Sequence, residues 1–210
     1  MDNQSGQRDT FKAVILGDSG VGKTALVTRW TTGSFSPQIR ATVGANHQRK
    51  RVTIDKQEVD IFLWDTAGQE VFQALTPLYA RSSSAAIITT SVDLPDSFKN
   101  IDKWIELLNT STEELPPIIL AVNKVDLESE RVVTTEEGQD YADKKGLIFY
   151  EVSAKTGEGI DMLFRYLTEN LVKRAPQKRA KPRAIHAVTV LEAEEVEEKP
   201  KTENNSACAC

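Results

Sequence analysis

The residues best suited to chemistry form a glycine-rich stretch between a short apolar run and a helical pattern. Residues 17–24 read Gly-Asp-Ser-Gly-Val-Gly-Lys-Thr and satisfy the spacing G-x-x-x-x-G-K-[ST]. Glycines let the backbone curl so that successive N–H groups point at phosphate oxygens, and the helix that follows adds its positive end. We expect the lysine to contact the β- and γ-phosphates and the threonine to reach a magnesium ion. The predicted phosphate-binding residues are Ser19, Gly20, Val21, Gly22, Lys23, Thr24 and Ala25.

A second motif, Trp-Asp-Thr-Ala-Gly-Gln-Glu at residues 64–70, ends a predicted strand. Asp65 can hold magnesium through water, Gly68 can bring its N–H close to a γ-phosphate, and Gln69 can orient an attacking water. Thr42 lies on a loop with little apolar content, where its hydroxyl could close onto magnesium only when a γ-phosphate is present. These motifs predict Thr24, Thr42 and Asp65 as metal ligands, Gly68 and Thr42 as further nucleotide contacts, and Gln69 and Lys23 as catalytic residues.

A third motif, Asn-Lys-Val-Asp at residues 123–126, follows an apolar strand. Asp126 can accept hydrogen bonds from both the ring N–H and the amino group of guanine, and adenine offers no such pair of donors. A site built to bind a polar group rejects an analogue that lacks it, because its own buried groups are left unpaired. The predicted base-binding residues are Asn123, Lys124, Asp126, the triplet Ser153-Ala154-Lys155 after the last strand, and Phe35 against the ring.

Together the three motifs predict a GTPase, and two other functions are the alternatives to it. The phosphate loop alone does not separate a GTPase from an ATPase or a kinase, and Asp126 argues against both rivals. A nucleotide-bound scaffold with little hydrolysis is the other alternative, and Gln69 argues against it. No arginine is obviously placed to act from within the chain, so we expect turnover on the order of 10⁻⁴ s⁻¹, with a partner supplying the missing groups.

The elements that position these motifs alternate between strands and helices, which is typical of an α/β fold with a largely parallel sheet. The predicted strands are residues 11–16, 47–54, 58–64, 85–90, 118–122 and 148–152. A tight connection at residues 55–57 makes the second and third strands a hairpin, which adds one antiparallel edge strand. The predicted helices are residues 25–31, 97–108, 136–145 and 160–174.

Composition sets the domain boundaries and excludes some functions. The chain has 210 residues, enough for one domain with a buried core. We expect a flexible N-terminus at residues 1–10, one domain at 11–174, and a tail at 175–210 that is disordered because it has few residues to bury. The net charge of −5 argues against a nucleic-acid partner. The two cysteines, Cys208 and Cys210, stand too close together to staple a fold.

Taken in order, the three motifs, Thr42-Val43-Gly44 and Ser153-Ala154-Lys155 resemble a Ras-superfamily small GTPase, and a Cys-x-Cys end resembles the Rab family. The resemblance implies a P-loop NTPase three-layer sandwich with a six-stranded, mostly parallel sheet and five helices. It implies a monomeric switch in vesicle trafficking that recruits effectors when GTP-bound. Its expected partners are an exchange factor, a GTPase-activating protein, a GDP dissociation inhibitor and a Rab escort protein.

The chain departs from that family at several positions. The family usually has an aromatic residue at His47, an arginine at Val71, and Tyr-Asp near Thr90-Ser91. We expect His47 to break an aromatic trio whose other members match Trp64 and Tyr79. These departures concern partner choice and leave the nucleotide chemistry alone.

The C-terminus is not a C-a-a-X signal. The Cys-x-Cys end resembles the family's doubly geranylgeranylated end, and two lipid chains anchor a protein stably where one does so marginally. Unmodified, exposed thiols are the alternative for Cys208 and Cys210. With lipidation, the protein is expected on the cytoplasmic face of an endomembrane and cycling with the cytosol, and residues 42–46 resemble the endosomal branch.

Overall fold

The computed structural model describes residues 8–179, which are organised around one six-stranded sheet. The strands are β1 (Asp9–Leu16), β2 (Ala45–Ile54), β3 (Gln57–Thr66), β4 (Ala85–Ser91), β5 (Ile118–Asn123) and β6 (Ile148–Glu151). Their order across the sheet is β2-β3-β1-β4-β5-β6. Strand β2 is antiparallel to β3, and every other neighbouring pair is parallel. The predicted α/β class, with a mostly parallel sheet and one antiparallel edge strand, is confirmed.

The predicted hairpin between β2 and β3 is present and very tight. Asp55 and Lys56 both have positive φ angles, 48° and 67°, and join Ile54 to its partner Gln57. Two-residue connections of this handedness match the twist of the strands they join. The register that follows places His47 opposite Trp64.

Six helices are described: α1 (Lys23–Thr32), α2 (Thr76–Ala80), α3 (Pro95–Lys99), α4 (Ile101–Ser111), α5 (Thr135–Lys145) and α6 (Ile160–Arg179). Short 3-10 turns occupy Glu70–Leu75 and Glu128–Glu130. Helices α3 and α4 are two halves of one helical segment, interrupted at Asn100. Counted that way, the described part of the chain has the five helices that the family resemblance implies.

Alternating side chains along the strands build a hydrophobic core on each face of the sheet. On β1, Ala13 and Ile15 belong to the core that α1 and α6 cover, whereas Val14 and Leu16 belong to the core that α4 and α5 cover. This is the period-two alternation expected of a strand with both faces buried. In the first core, the rings of Trp30 and Phe164 stack with their centroids 4.2 Å apart. The result is a three-layer arrangement with the sheet in the middle.

The observed elements are longer than predicted at several ends. Strand β1 begins at Asp9, inside the N-terminal segment predicted as flexible, and α6 continues to Arg179, beyond the boundary drawn at residue 174. Helix α2 and the adjoining 3-10 turn have no counterpart in the prediction, because segments this short show no helical period. Residues 1–7 and most of the predicted tail, with Cys208 and Cys210, lie outside the described residues.

Candidate functional site

The phosphate loop connects β1 to α1, and two of its glycines are required by close backbone contacts. Gly17 has a φ of 137°, and a Cβ there would lie 2.1 Å from the carbonyl oxygen of Thr89 on β4. Gly22 has a φ of 93°, and a Cβ there would lie 2.4 Å from the side-chain nitrogen of Asn123. Only glycine therefore allows the loop to curl against the ends of β4 and β5. The carboxylate of Asp18 is turned into the protein, where Trp104 and Asn100 donate to it at 2.9 and 2.7 Å.

Lys23 is buried at the base of this loop, although lysine is rarely buried. Its Nζ donates to the carbonyl oxygens of Gly17 and Asp18 at 2.8 and 2.7 Å. Burial lowers the pKa of Lys23 to about 8, and the nearby carboxylates of Asp65 and Asp18 oppose that shift. A phosphate group bound in the loop would place negative charge next to this ammonium group and so favour its protonated form.

Three oxygen-bearing side chains meet beside Lys23. The hydroxyl of Thr24 donates to Oδ2 of Asp65 at 2.7 Å and lies 2.9 Å from the hydroxyl of Thr42. Thr42 in turn lies 3.4 Å from the same carboxylate oxygen. Burial raises the pKa of Asp65, while hydrogen bonds from Thr24 and Thr42 and the charge of Lys23 oppose the rise. The three predicted metal ligands are thus brought together although they come from distant parts of the chain.

A divalent cation fits this cluster. The second carboxylate oxygen of Asp65, Oδ1, is buried and has no hydrogen-bond partner, a state that costs free energy unless something binds it. Carboxylate and hydroxyl oxygens are the ligands that Mg²⁺ prefers. The donor set and the orphaned oxygen therefore suit magnesium together with phosphate oxygens.

Gly68 and Gln69 close the other side of the cleft. A Cβ on Gly68 would lie 2.4 Å from the carbonyl carbon of Asp18 and 2.5 Å from Nζ of Lys23, so the loop can approach the phosphate loop this closely only with glycine. Gln69 is exposed and lines the same cleft. Its amide is free to meet a water molecule there.

Arg40 also lines this cleft, together with Ile39 and Ala41 of the loop that carries Thr42. Arg40 is exposed, and the expectation that no arginine is obviously placed to act from within the chain stays a prediction. The position of Arg40 depends on how the loop folds over the phosphate loop, and no motif marks it.

Asn123 joins the phosphate loop to the base-binding region. Its side-chain nitrogen donates to the carbonyl oxygen of Val21 at 2.8 Å, and its side-chain oxygen accepts from the backbone N–H of Ala154 at 3.1 Å. The side-chain amide of Asn123, a predicted base-binding residue, therefore forms its hydrogen bonds with two other loops. Arg29 adds a second connection, because it donates to the carbonyl oxygens of Ala154, at 2.7 Å, and Lys155. Sequence reasoning missed Arg29.

Asp126 is held by two side chains that follow β6. The hydroxyl of Ser153 donates to Oδ1 at 2.5 Å, and Nζ of Lys155 lies 3.3 Å from Oδ2. Burial acts to raise the pKa of Asp126, but the bonds from Ser153 and Lys155 outweigh it and keep the pKa below its ordinary value. The group is thus an ionised acceptor at neutral pH, as recognition of two guanine donors requires.

Two other predicted base contacts have partners of their own. Lys124 lies beside Asp126 in the chain and forms an ion pair with Asp93. Phe35 is half-buried, and the guanidinium of Arg29 lies 5.9 Å from its ring centroid. Arg29 also binds the carbonyl oxygens of Ala154 and Lys155, so Phe35 lies near the predicted base-binding loops.

The aromatic trio is intact, contrary to expectation. His47 stacks on Trp64 with centroids 5.5 Å apart, and Trp64 stacks on Tyr79 at 5.7 Å. The imidazole is planar and lies directly opposite Trp64 across β2 and β3, so it takes the place of the usual aromatic ring. The prediction that His47 breaks the trio is wrong.

Comparison with known proteins gives the family. The model of the Ras family matches residues 12–173. The chain is 36% identical to the Ras-related protein RABA5c of Arabidopsis thaliana, in an alignment that covers 85% of this chain and 83% of that one. It is 39% identical to the Ras-related protein Rab-5A of Dictyostelium discoideum, over 78% of this chain and 81% of that one. It is 35% identical to RABA5b of Arabidopsis thaliana, over 84% of this chain and 82% of that one.

The fold and the cleft define a P-loop GTPase. The chain belongs to the Ras family and, within it, to the Rab small GTPases. It is therefore a guanine-nucleotide switch that hydrolyses GTP and acts in membrane trafficking. The relatives give no support to the alternative of a nucleotide-bound scaffold. No helix among residues 8–179 has the length and apolar character to cross a membrane.

Proposed function

We propose that this small GTPase selects guanine through Asp126 and hydrolyses GTP at a cleft formed by the phosphate loop, Thr42, Asp65 and Gln69. The observation that carries the proposal is the state of Asp126. Ser153 and Lys155 bind its carboxylate and favour the ionised form, and its side chain is 11% exposed. A fixed, ionised acceptor at this place suits a base with two adjacent donors.

The remaining residues act on the phosphates. Backbone N–H groups of residues 19–25 and the charge of Lys23 bind the β- and γ-phosphates, while Gly68 offers one further N–H. Gln69 orients the attacking water by its amide. Magnesium, when bound, neutralises charge between the β- and γ-phosphates, and Thr24, Thr42 and Asp65 would hold it. Because Lys23 and the metal offset the developing charge directly and Arg40 is an exposed residue of the cleft lining, we expect intrinsic turnover on the order of 10⁻⁴ s⁻¹.

Replacing Asp126 tests the base pocket. In Asp126→Asn, the amide still accepts from the ring N–H but now donates at the position where guanine has its amino group. Xanthine has a carbonyl there, so we expect the preference to move from guanine to xanthine nucleotides by at least about a hundredfold. Competition of GDP and xanthosine diphosphate against a fluorescent GDP measures it. Asp140→Asn, an exposed change on α5, is the matched control, and unchanged guanine preference in Asp126→Asn would refute the pocket.

We further propose that nucleotide-dependent partners dock beside the cleft. Val43, Val71 and Leu78 are large apolar residues that are 76%, 83% and 65% exposed. Val43 follows Thr42, Val71 lies close behind Gln69, and Leu78 lies on α2. Exposed apolar side chains beside segments that contact the γ-phosphate suit effectors, an exchange factor and a GTPase-activating protein. The GDP form would meet a GDP dissociation inhibitor, and a Rab escort protein would deliver the chain for lipidation. The protein itself would act as a monomer.

Membrane attachment through the C-terminal cysteines completes the proposal. The residues that follow α6, which ends at Arg179, would act as a tether between a lipid anchor and the GTPase domain. Lipids on Cys208 and Cys210 would place the protein on the cytoplasmic face of an endomembrane, in particular an endosome, cycling with the cytosol. Imaging of a tagged chain with and without Cys208→Ser and Cys210→Ser tests this. Mass spectrometry of the wild-type C-terminal peptide without added lipid mass would refute it.

A further inference from the structure

Lys124 has an unusual backbone and a well-defined charge partner. Its φ angle is 65°, in the left-handed region that lysine rarely occupies. Its Nζ donates to both carboxylate oxygens of Asp93, at 3.0 and 3.2 Å. The side chains of the two residues are 28% and 19% exposed, so solvent screens this pair less than an ion pair on the open surface.

The end of β4 is folded so that Asp93 can reach this lysine. Val92 donates its backbone N–H to the carbonyl oxygen of Asn123 at 3.1 Å, which continues the pairing of β4 with β5. Leu94 donates to the carbonyl oxygen of Ser91 at 3.1 Å and closes a turn around Asp93. The carboxylate therefore lies on a short turn that is attached to the strand carrying Asn123 and Lys124.

Ser91 supports the carboxylate directly. Its hydroxyl donates to Oδ1 of Asp93, and its own backbone N–H donates to the hydroxyl of Ser97 at 3.1 Å. Burial acts to raise the pKa of Asp93, but Ser91 and Lys124 outweigh it, so the pKa lies below its ordinary value. Ser91 is also one of the positions where the chain departs from the family pattern, which places an aspartate there. The negative charge is present in this chain, but two residues later.

We infer that Asp93 is the positioning residue for Lys124: it holds the lysine side chain in the place where its alkyl stem covers the guanine ring, and Ser91 orients Asp93 for that role. The inference rests on the proposed base pocket. A lysine side chain that is ordered only when nucleotide binds loses rotamer freedom at that step, and an ion pair formed beforehand avoids that loss. Without Asp93, the ring would be held less firmly and nucleotide would leave faster.

The dissociation rate of fluorescent GDP from the full-length chain, chased with excess GDP, tests the inference. In Asp93→Asn, which keeps the shape and removes the charge, we expect release about tenfold faster, the scale of one lost hydrogen bond to a charged group. The matched control is Asp96→Asn. Asp96 also pairs with a lysine, Lys99, at 2.9 Å, but both side chains are largely exposed, so release should be unchanged.

Lys124→Ala turns this measurement into a double-mutant cycle. If Asp93 acts through Lys124, then Asp93→Asn should add nothing in a Lys124→Ala background. If Asp93 instead holds its own turn independently of Lys124, Asp93→Asn should accelerate release by the same factor in both backgrounds, and this outcome would overturn the inference. A wild-type release rate in Asp93→Asn would overturn it as well.

Moving the carboxylate gives an independent readout. The double variant Ser91→Asp with Asp93→Ser restores a charge at the position the family uses, and we expect it to recover most of the wild-type release rate. If this variant has the wild-type thermal midpoint and still releases GDP as fast as Asp93→Asn, the inference is wrong. Failure of the base pocket itself is recognised separately, because Lys124→Ala would then release GDP at the wild-type rate.

Discussion

Replacing Gly68 by alanine should weaken the binding of GTP and leave the binding of GDP unchanged. The new Cβ would lie 2.4 Å from the carbonyl carbon of Asp18 and 2.5 Å from its oxygen, whereas ordinary contact begins at 3.4 Å. Because Asp18 belongs to the rigid phosphate loop, the residue 68 segment has to move away by about 1 Å. A hydrogen bond near 2.9 Å that is lengthened this much falls outside bonding range, so the backbone N–H at residue 68 no longer reaches a γ-phosphate.

The size of the effect follows from the charge of the acceptor. A hydrogen bond to a charged group contributes about 1.5–3 kcal/mol, so GTP should bind about 10- to 150-fold more weakly, while GDP, which has no γ-phosphate, should bind as before. Competition of GDP and a slowly hydrolysed GTP analogue against fluorescent GDP gives both affinities in one experiment.

Gly146→Ala is the control for the glycine-to-alanine change. Gly146 ends α5 with a φ of 66° and has no atom within 4 Å of a new Cβ, so alanine is strained there without entering the cleft. The reasoning is refuted if Gly68→Ala keeps the wild-type ratio of GTP to GDP affinity, because the Cβ would then have been accommodated without moving the N–H group.

Three other substitutions test the cleft. Gln69→Leu removes the amide that orients water and should hold the protein GTP-bound even with its activator; normal phosphate release would disprove the role. Asn123→Ala leaves the carbonyl of Val21 and the N–H of Ala154 unpaired, and should lower the free energy of unfolding by about 2–6 kcal/mol in a urea titration; a loss under about 1 kcal/mol would mean that both groups find other partners. Arg40→Ala removes a cation from the cleft and should weaken GTP binding more than GDP binding in the same competition assay; an equal loss for both nucleotides would place Arg40 away from the γ-phosphate.

The sequence predicted the residues whose roles depend on local spacing. The phosphate loop, Asp65 with Gly68 and Gln69, and Asp126 each stand in a short motif that directly follows a strand. In a parallel sheet the carboxyl ends of the strands meet at one edge, so loops that follow different strands come together. The structure brings Thr24 and Asp65 within hydrogen-bonding distance for this reason. Thr42 joins them because β2 is antiparallel and begins, at Ala45, opposite the end of β3.

Residues whose roles depend on folding between elements were missed. Arg29 lies on α1, five residues after Thr24 at the end of the phosphate loop, and contacts a loop more than 120 residues later. Asp93 and Arg40 likewise depend on how a turn and a loop pack against neighbouring strands. A polar residue at such a position looks the same in the sequence as any solvated side chain, because the spacing that makes it functional exists only in the fold.

These missed residues explain how loops with little packing of their own form one site. The nucleotide-binding loops bury few side chains, so the bonds that Arg29 and Asp93 make, together with those of the predicted residue Asn123, hold these loops in place. The two hydrophobic cores lie on the faces of the sheet, away from these contacts. Arg29 and Asp93 have partly exposed polar groups. Substitutions that remove their hydrogen bonds should therefore open the loops locally and speed nucleotide release. Their effect on the free energy of global unfolding should be smaller. Asn123 is fully buried between two loops, and its loss should affect both. Because these variants bind nucleotide more weakly, added nucleotide stabilises them less than the wild type, so the loss of stability should be larger with nucleotide than without it.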